Sequence, residues 1–367
     1  MHCAPRTATN VDYLSTVGLK MKAQSEIKNI VILGAGAIGC FVGASWAHAL
    51  LEANIKVTLI GRKATFKFGG ADHLVCSDND ETMVDVKHFE IATDAEALKH
   101  ADVILLAMKS TGLERAIEQI KTHSVSQTPI ISLLNGLEPA RQLRAALPDH
   151  SVVSGMVPFN VVWKSGNHLH KSSAGNLSLE TSEISKLLAA RVSATQVPID
   201  LYEDLKPIQY GKLLLNLINP INALSGLALH KMLSQRQFRQ IYAATLSEAL
   251  NVYDAASIQW KKVGPISPKL GAKLLPSPNF FFNNTLLKLQ KIDKTSITSM
   301  ATDLINEKPT EIEVINGEIV RLAKEANTLA PINLKLMELI GKAEKQQEFE
   351  PLSSKQLARA LGVFQLN

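Results

Sequence analysis

Three stretches of this 367-residue chain carry residue types at spacings that can bind a ligand or act on one. In residues 211–224, GKLLLNLINPINAL, Lys212, Asn216 and Asn219 recur at i, i+4 and i+7 in an almost wholly apolar, helix-like background. That spacing puts all three on one face of a buried helix. Burying an ammonium and two carboxamides among leucines costs roughly several kcal/mol unless they find partners. A polar ligand cleft would supply them; interhelical hydrogen bonds with a snorkelling lysine are the alternative. The second stretch, residues 28–39, reads KNIVILGAGAIG. Gly34, Gly36 and Gly39 form G-x-G-x-x-G after an apolar run, with Ala35, Ala37 and Ile38 between them. This turn is expected to bind a dinucleotide, an ordinary glycine-rich turn being the alternative: the glycines permit a tight turn, a close backbone approach to pyrophosphate, and helix–strand packing. The pyrophosphate then rests on free N–H groups at the helix N-terminus. The third stretch, residues 299–317, holds Ser299 and Glu311. Glu311 and Glu313 open a helical pattern and read alone as first-turn acids favoured by the helix dipole. A buried cation such as Lys212 gives Glu311 a second possible use.

The elements that must position these residues follow from periodicity. Ile30 to Leu33 predict a buried strand, and 40–51 an apolar helix. A β-branched run at 55–60 predicts the second strand, ending at Gly61-Arg62-Lys63. A basic residue there accommodates the 2′-phosphate of NADP, where an acidic one would hold the ribose of NAD. Arg62 therefore points to NADPH, with a solvated surface arginine as the alternative. Short alternating runs around Val75, Val84, Val86 and Phe89 predict extra strands. Residues 102–108 and 129–134 predict two more buried strands, ending at Lys109 and at Asn135-Gly136, with helices over 111–121 and 138–147. Ligands of such sheets bind beyond the carboxyl ends of the strands, so Gly34, Arg62, Lys109 and Asn135 are expected to border one cleft. Further strands are expected over 151–162, 177–180 and 197–201, the last an edge because of Pro198, and a helix over 184–192. His168 and His170 are expected on a hairpin surface. No metal site is expected from them, because no cysteine or carboxylate stands nearby.

From about residue 203 the pattern turns helical, with helices expected over 207–229, 234–256, 285–291, 311–326 and 334–348. Pro220 should kink or interrupt the first. The reading is thus a mixed α/β chain: a flexible extension at 1–27, a Rossmann-type doubly wound sheet domain over 28–203, an all-α domain over 204–350, and a tail at 351–367. Composition agrees, with 46% hydrophobic and 20% charged residues. The net charge of +5 is spread without a dense basic run or a basic-aromatic stripe, which argues against nucleic acid. The three cysteines lack disulfide or metal spacing and suit a reducing, cytoplasmic setting. No apolar run reaches the length that spans a membrane.

Together these motifs resemble the ketopantoate reductases (2-dehydropantoate 2-reductases) over roughly residues 30–340. The likeness is carried by the glycine turn, the strand ends at Lys109 and Asn135-Gly136, Lys212 with Asn216, Ser299-Met300 with Asp303, residues 310–317, and Ala330-Pro331 with Asn333. The resemblance implies NADPH as cofactor and a small 2-keto acid as substrate, in a monomer or homodimer. It implies that Lys212 is the catalytic general acid, that Glu311 holds the substrate hydroxyl, and that Asn216 and Ser299 contact substrate. Asn135 would touch cofactor and substrate, Lys109 the cofactor, and Arg62 the 2′-phosphate. The chain departs from the pattern in three places. Asn219-Pro220 follows Asn216 by three residues instead of four, with Asn222 added; Ser296 stands where some members have asparagine; and Lys308 replaces an arginine. Which of Asn216, Asn219 and Asn222 meets the substrate is thereby left open. A reductase of another 2-keto acid or an imine, or a non-catalytic NADPH sensor, are the alternatives.

Overall fold

The structure is a computed structural model that describes residues 27–66, 73–79, 83–264, 266–289, 292–347 and 349–363. The expected N-terminal extension lies outside these, apart from Ile27. The strands of the main sheet are β1 (Asn29–Leu33), β2 (Lys56–Ile60), β5 (Glu90–Ala92), β6 (Val103–Leu106), β7 (Ile130–Ser132), β8 (Val152–Met156), β11 (Leu177–Glu180) and β12 (Ile199–Tyr202). They run in the order β12-β11-β8-β7-β6-β1-β2-β5. From β5 through β8 every pairing is parallel, which is the dinucleotide-fold order; β11 then adds antiparallel to β8. Strand alternation explains why both faces are covered. Ile30 and Ile32 of β1 face one core while Val31 and Leu33 face another, and β6 divides Val103 and Leu105 from Ile104 and Leu106 in the same way. Each such side chain contributes roughly 1.5–3 kcal/mol on burial, enough to fix strand register.

Helix α1 (Ala37–Leu50) is buried nearly all round. It packs between the main sheet and a smaller one, ordered β4-β3-β10-β9, built from β3 (Leu74–Ser77), β4 (Met83–Val86), β9 (Val161–Ser165) and β10 (His168–Lys171). A helix covered on two sides has no polar face, hence its Ala-rich apolar sequence. Its Trp46 is fully buried and donates its indole N–H to the Val197 carbonyl at 3.0 Å. On the opposite face of the main sheet lie α2 (Leu113–His123) and α3 (Glu138–Ala146). The expected single strand over 151–162 is two strands in different sheets. Pro158 lies in the break, where it has no N–H to give a ladder. His168 and His170 stand on β10, where both imidazoles meet the Ser77 hydroxyl, at 2.7 and 2.9 Å.

The helical half has its own core. It holds α5 (Lys206–Asn216), α6 (Asn219–Ser225), α8 (Arg236–Ala255), α12 (Ser299–Ile305), α13 (Ile312–Glu325) and α14 (Pro331–Ala343); α4 (Glu183–Val192) and α7 (Leu229–Leu233) precede or join them. The long helix expected over 207–229 is broken at Leu217-Ile218, since Pro220 denies the ladder an N–H and restarts the helix as α6. Three short helices, α9 (Pro268–Leu274), α10 (Asn279–Asn284) and α11 (Leu286–Leu289), follow α8 and form a connector that carries Phe280, Phe281 and Phe282. Fully buried Arg239 fixes it, donating to the Leu275, Ser277 and Leu233 carbonyls and to Asn279, with its guanidinium on the Phe282 ring. The chain closes with α15 (Ser354–Ala360).

The two halves meet along α3 and α13. Arg141 donates to Glu318, whose side chain is 1% exposed, at 2.9 Å, and Arg321 holds the same carboxylate at 2.7 Å. Stripping one partner from such a buried carboxylate is strongly destabilising, so this pairing keeps α13 seated on the sheet domain.

Candidate active site

The glycine turn is built by close approach. Gly34 sits at φ +120°, and a Cβ there would lie 2.4 Å from the Met108 nitrogen at the end of β6. A Cβ on Gly39 would lie 2.0 Å from the Gly34 carbonyl oxygen, so only glycine lets α1 start so near β1. Gly36 is different: a Cβ there meets nothing within 4 Å, so that side of the turn is open. Gly36 is also the N-cap of α1, with no side chain capping the helix and no acid in the first turn. Uncapped N–H groups facing open space are suited to an anionic pyrophosphate. Arg62 follows β2 on the same edge, is exposed, and its guanidinium pairs with no carboxylate among the described residues. These features fit a dinucleotide.

In the helical half, α5 presents Lys212. Its ammonium donates to Asn135 Oδ1 at 3.1 Å and to the Val157 carbonyl at 2.6 Å. An ammonium has three donors, and these two bonds leave one for a ligand. Asn135 turns its Nδ2 to Glu311 Oε2 at 2.8 Å, and Glu311 Oε1 accepts the Ser110 backbone N–H at 3.1 Å. The carboxamide thus joins lysine to glutamate in one line running from the helical half through the end of β7. Gly136 makes this reach possible: at φ +80°, a Cβ there would come within 2.7 Å of the Val314 carbonyl on α13. The loop after β7 therefore presses against the helix whose N-cap is Glu311. Burial pushes the Lys212 pKa down to about 8, and the Glu311 carboxylate pulls against that shift. Nearby, Lys109 forms an ion pair with Asp303 of α12, whose carboxyl is raised by burial and lowered by the lysine.

Leu134, Asn135, Gly136, Gly155, Met156, Gln209, Lys212, Leu213 and Asn216 line a cleft with about 250 Å³ of empty space. The structure thus brings Lys212, Asn135 and Asn216 to one opening, and Glu311 to Asn135. The helix break separates the three polar residues expected on one face. Asn219 opens α6 instead of continuing α5, and it lies outside the cleft lining. Asn222 is fully buried and occupied: it donates to the Leu227 carbonyl and accepts the Thr298 N–H. Of the three asparagines only Asn216 faces the cleft, and its side chain has no hydrogen-bond partner among the described residues. Ser299 is the exposed first residue of α12, away from the cleft lining. Sequence reading missed the Val157 carbonyl and the Ser110 N–H, because backbone groups carry no sequence signal. It also missed Gln209, which the i, i+3, i+7 stripe with Lys212 and Asn216 could have revealed.

A parallel sheet opening on a glycine turn, joined to a helical half whose half-buried lysine reaches Asn135 at a strand end, defines a two-domain dinucleotide-binding protein. The chain belongs to the ketopantoate reductase PanE/ApbA family: residues 30–183 match its N-terminal family model and 204–344 its C-terminal one. Relatives named 2-dehydropantoate 2-reductase include one from Vibrio cholerae, 22% identical over 322 residues, spanning 86% of this chain and 98% of that one. A second, from Listeria innocua, is 23% identical over 333 residues, covering 87% and 98%. Among solved structures, a PanE/ApbA family ketopantoate reductase from Ralstonia eutropha superposes with a TM-score of 0.72 at 25% identity, covering 87% of this chain and all of that one. A D-mandelate dehydrogenase complexed with NADH and anilino(oxo)acetate shares the fold, with a TM-score of 0.68 at 21% identity, 86% of this chain and 98% of that one being covered.

Proposed function

We propose that this chain reduces 2-dehydropantoate to pantoate with NADPH, a step on the route to pantothenate and coenzyme A. The observation that carries the reading is the Lys212 ammonium, held by Asn135 and Val157 with one N–H left over, in a cleft lined by α5 and the Asn135-Gly136 strand end. Gly34, Ala35, Gly36, Ala37, Ile38 and Gly39 would cradle the pyrophosphate, Arg62 the 2′-phosphate, and Lys109 and Asn135 the cofactor's cleft side. When bound, NADPH supplies a hydride to the ketone carbon. Lys212 stabilises the negative charge that builds on the ketone oxygen and gives that atom its proton. Glu311, expected from the resemblance to hold the substrate hydroxyl, lies outside the cleft lining with both carboxylate oxygens engaged, so its role here is to act through Asn135, fixing the amide so that Oδ1 faces the lysine. Asn216 orients the substrate, and the apolar wall of Leu134, Met156 and Leu213 keeps water from the reacting carbon. The Vibrio and Listeria relatives, named for this reaction, support it.

The general acid must be protonated, and its pKa is about 8. Reduction should therefore be flat with pH below that value. Above it, kcat/KM should fall about tenfold per unit, because the neutral amine has no proton to spare for the ketone oxygen. A pH profile still flat well above 8 would remove Lys212 from this role.

The test of the reading is steady-state NADPH oxidation with 2-dehydropantoate, with a panel of other 2-oxo acids and with a cyclic imine, repeated with NADH. The reading expects 2-dehydropantoate with NADPH to be the best pair. An imine or another acid winning would reassign the substrate, and cofactor binding without turnover on any of them would indicate a sensor. Cofactor choice has its own variant. Arg62→Ser should weaken NADPH binding by roughly 10- to 100-fold, the loss of a charge-assisted bond to phosphate. NADH affinity should change little; equal losses for both would show that Arg62 does not read the 2′-phosphate.

A further inference from the structure

We propose that Gln209 is a specificity-determining residue of this cleft, its carboxamide oxygen accepting a hydrogen bond from a hydroxyl group of the substrate. The inference rests on the reductase reading above and assigns a residue to the recognition of that substrate's hydroxyl. Gln209 precedes Lys212 by three residues and Asn216 by seven, so α5 aligns all three along one stripe. Gln209 is 7% exposed and lines the cleft. Its Nε2 donates to the Gly155 carbonyl at 3.4 Å. A carbonyl can only accept, which fixes the amide with Nε2 towards β8 and leaves Oε1 without a donor among the described residues.

The chemistry of the lining divides the tasks. Lys212 offers donors only, so it suits the ketone oxygen or a carboxylate. The Asn135 carboxamide is spent at both ends, on Lys212 and on Glu311. Gln209 Oε1 is an acceptor; it repels a carboxylate and is satisfied by an O–H. Leu134, Met156 and Leu213 supply apolar surface that suits a compact carbon skeleton. An unhydroxylated acid would expel water from Oε1 and give nothing back. A polar group built to meet a substrate hydroxyl and left unpaired is what rejects an analogue lacking it.

The experiment compares kcat/KM for 2-dehydropantoate and for 3,3-dimethyl-2-oxobutanoate, which differs only in lacking the hydroxyl. Wild type, Gln209→Leu and Gln209→Met are each assayed with NADPH. Wild type should prefer the hydroxylated acid by at least about a hundredfold. Either variant should cut that ratio by about 10- to 100-fold, through loss on the hydroxylated acid. The ratio is unaffected by partial misfolding, because both substrates sample the same active molecules. The unbranched methionine variant carries the test if leucine does not fold. An unchanged ratio in both apolar variants would overturn the role of Gln209 and leave the reductase reading intact. Wild type reducing neither acid would overturn that reading, and this one with it.

Discussion

Lys212→Ala should lower kcat for 2-dehydropantoate reduction by about 10²–10⁴-fold, the usual worth of a positioned general acid. NADPH affinity should stay close to wild type, since Lys212 bonds to neither the glycine turn nor Arg62. The size of the effect follows from how the lysine is held. Its two bonds to protein acceptors remove its freedom, so the third N–H is aimed before substrate arrives. Alanine removes the proton donor and leaves the Asn135 oxygen and the Val157 carbonyl facing the cleft unpaired. Rapid-mixing turnover and a cofactor titration on the same preparation separate the two effects. Turnover within a few-fold of wild type would mean that another group protonates the product.

The second large effect is expected at Gly39. A methyl group there would meet the Gly34 carbonyl oxygen at 2.0 Å, and backbone atoms cannot rotate out of the way as a side-chain tip would. Gly39→Ala must therefore push the start of α1 away from β1. Overpacking of this kind costs about 1–3 kcal/mol and at times more. In a domain of this size that corresponds to a fall in Tm of roughly 2–4 °C per kcal/mol. The same shift misplaces the free N–H groups of the α1 N-terminus, so NADPH affinity should drop by roughly a hundredfold or more. Thermal melts with and without cofactor check both parts. In the variant the stabilisation that NADPH gives should be nearly lost; a wild-type melt with full cofactor stabilisation would contradict the packing argument. Gly36→Ala is the useful contrast, since a Cβ there touches no protein atom and folding should be spared.

Much of the sheet domain was legible in the sequence because its signals are local. The apolar run at Ile30 to Leu33 and the glycine turn after it fix β1 and α1, and strand ends at Lys109 and Asn135 follow from short buried runs bounded by polar residues. The helical half was less legible. Pro220 announced an interruption, but not that it would move Asn219 out of the Lys212–Asn216 stripe. Asn222 reads like a ligand contact in sequence, whereas its bonds to Leu227 and Thr298 arise from packing between α6 and the start of α12. The helices α9 and α10 are too short for a periodic signal and sit among prolines, so their existence depends on tertiary contacts such as those of Arg239. The line from Lys212 through Asn135 to Glu311 joins positions separated by 77 and 176 residues. Such contacts leave no trace in spacing; the buried charges only indicate that partners must exist.

The central claim is that a hydride delivered at this cleft and a proton from Lys212 together reduce a 2-oxo acid. It is tested most directly by incubating the enzyme with 2-dehydropantoate and NADPH deuterated on the transferring face of C4, then locating the label. The account predicts one deuterium on C2 of the pantoate formed, with Lys212→Ala binding the same cofactor but yielding little labelled product. Pantoate free of label, or no consumption of cofactor by the wild-type enzyme, would contradict it.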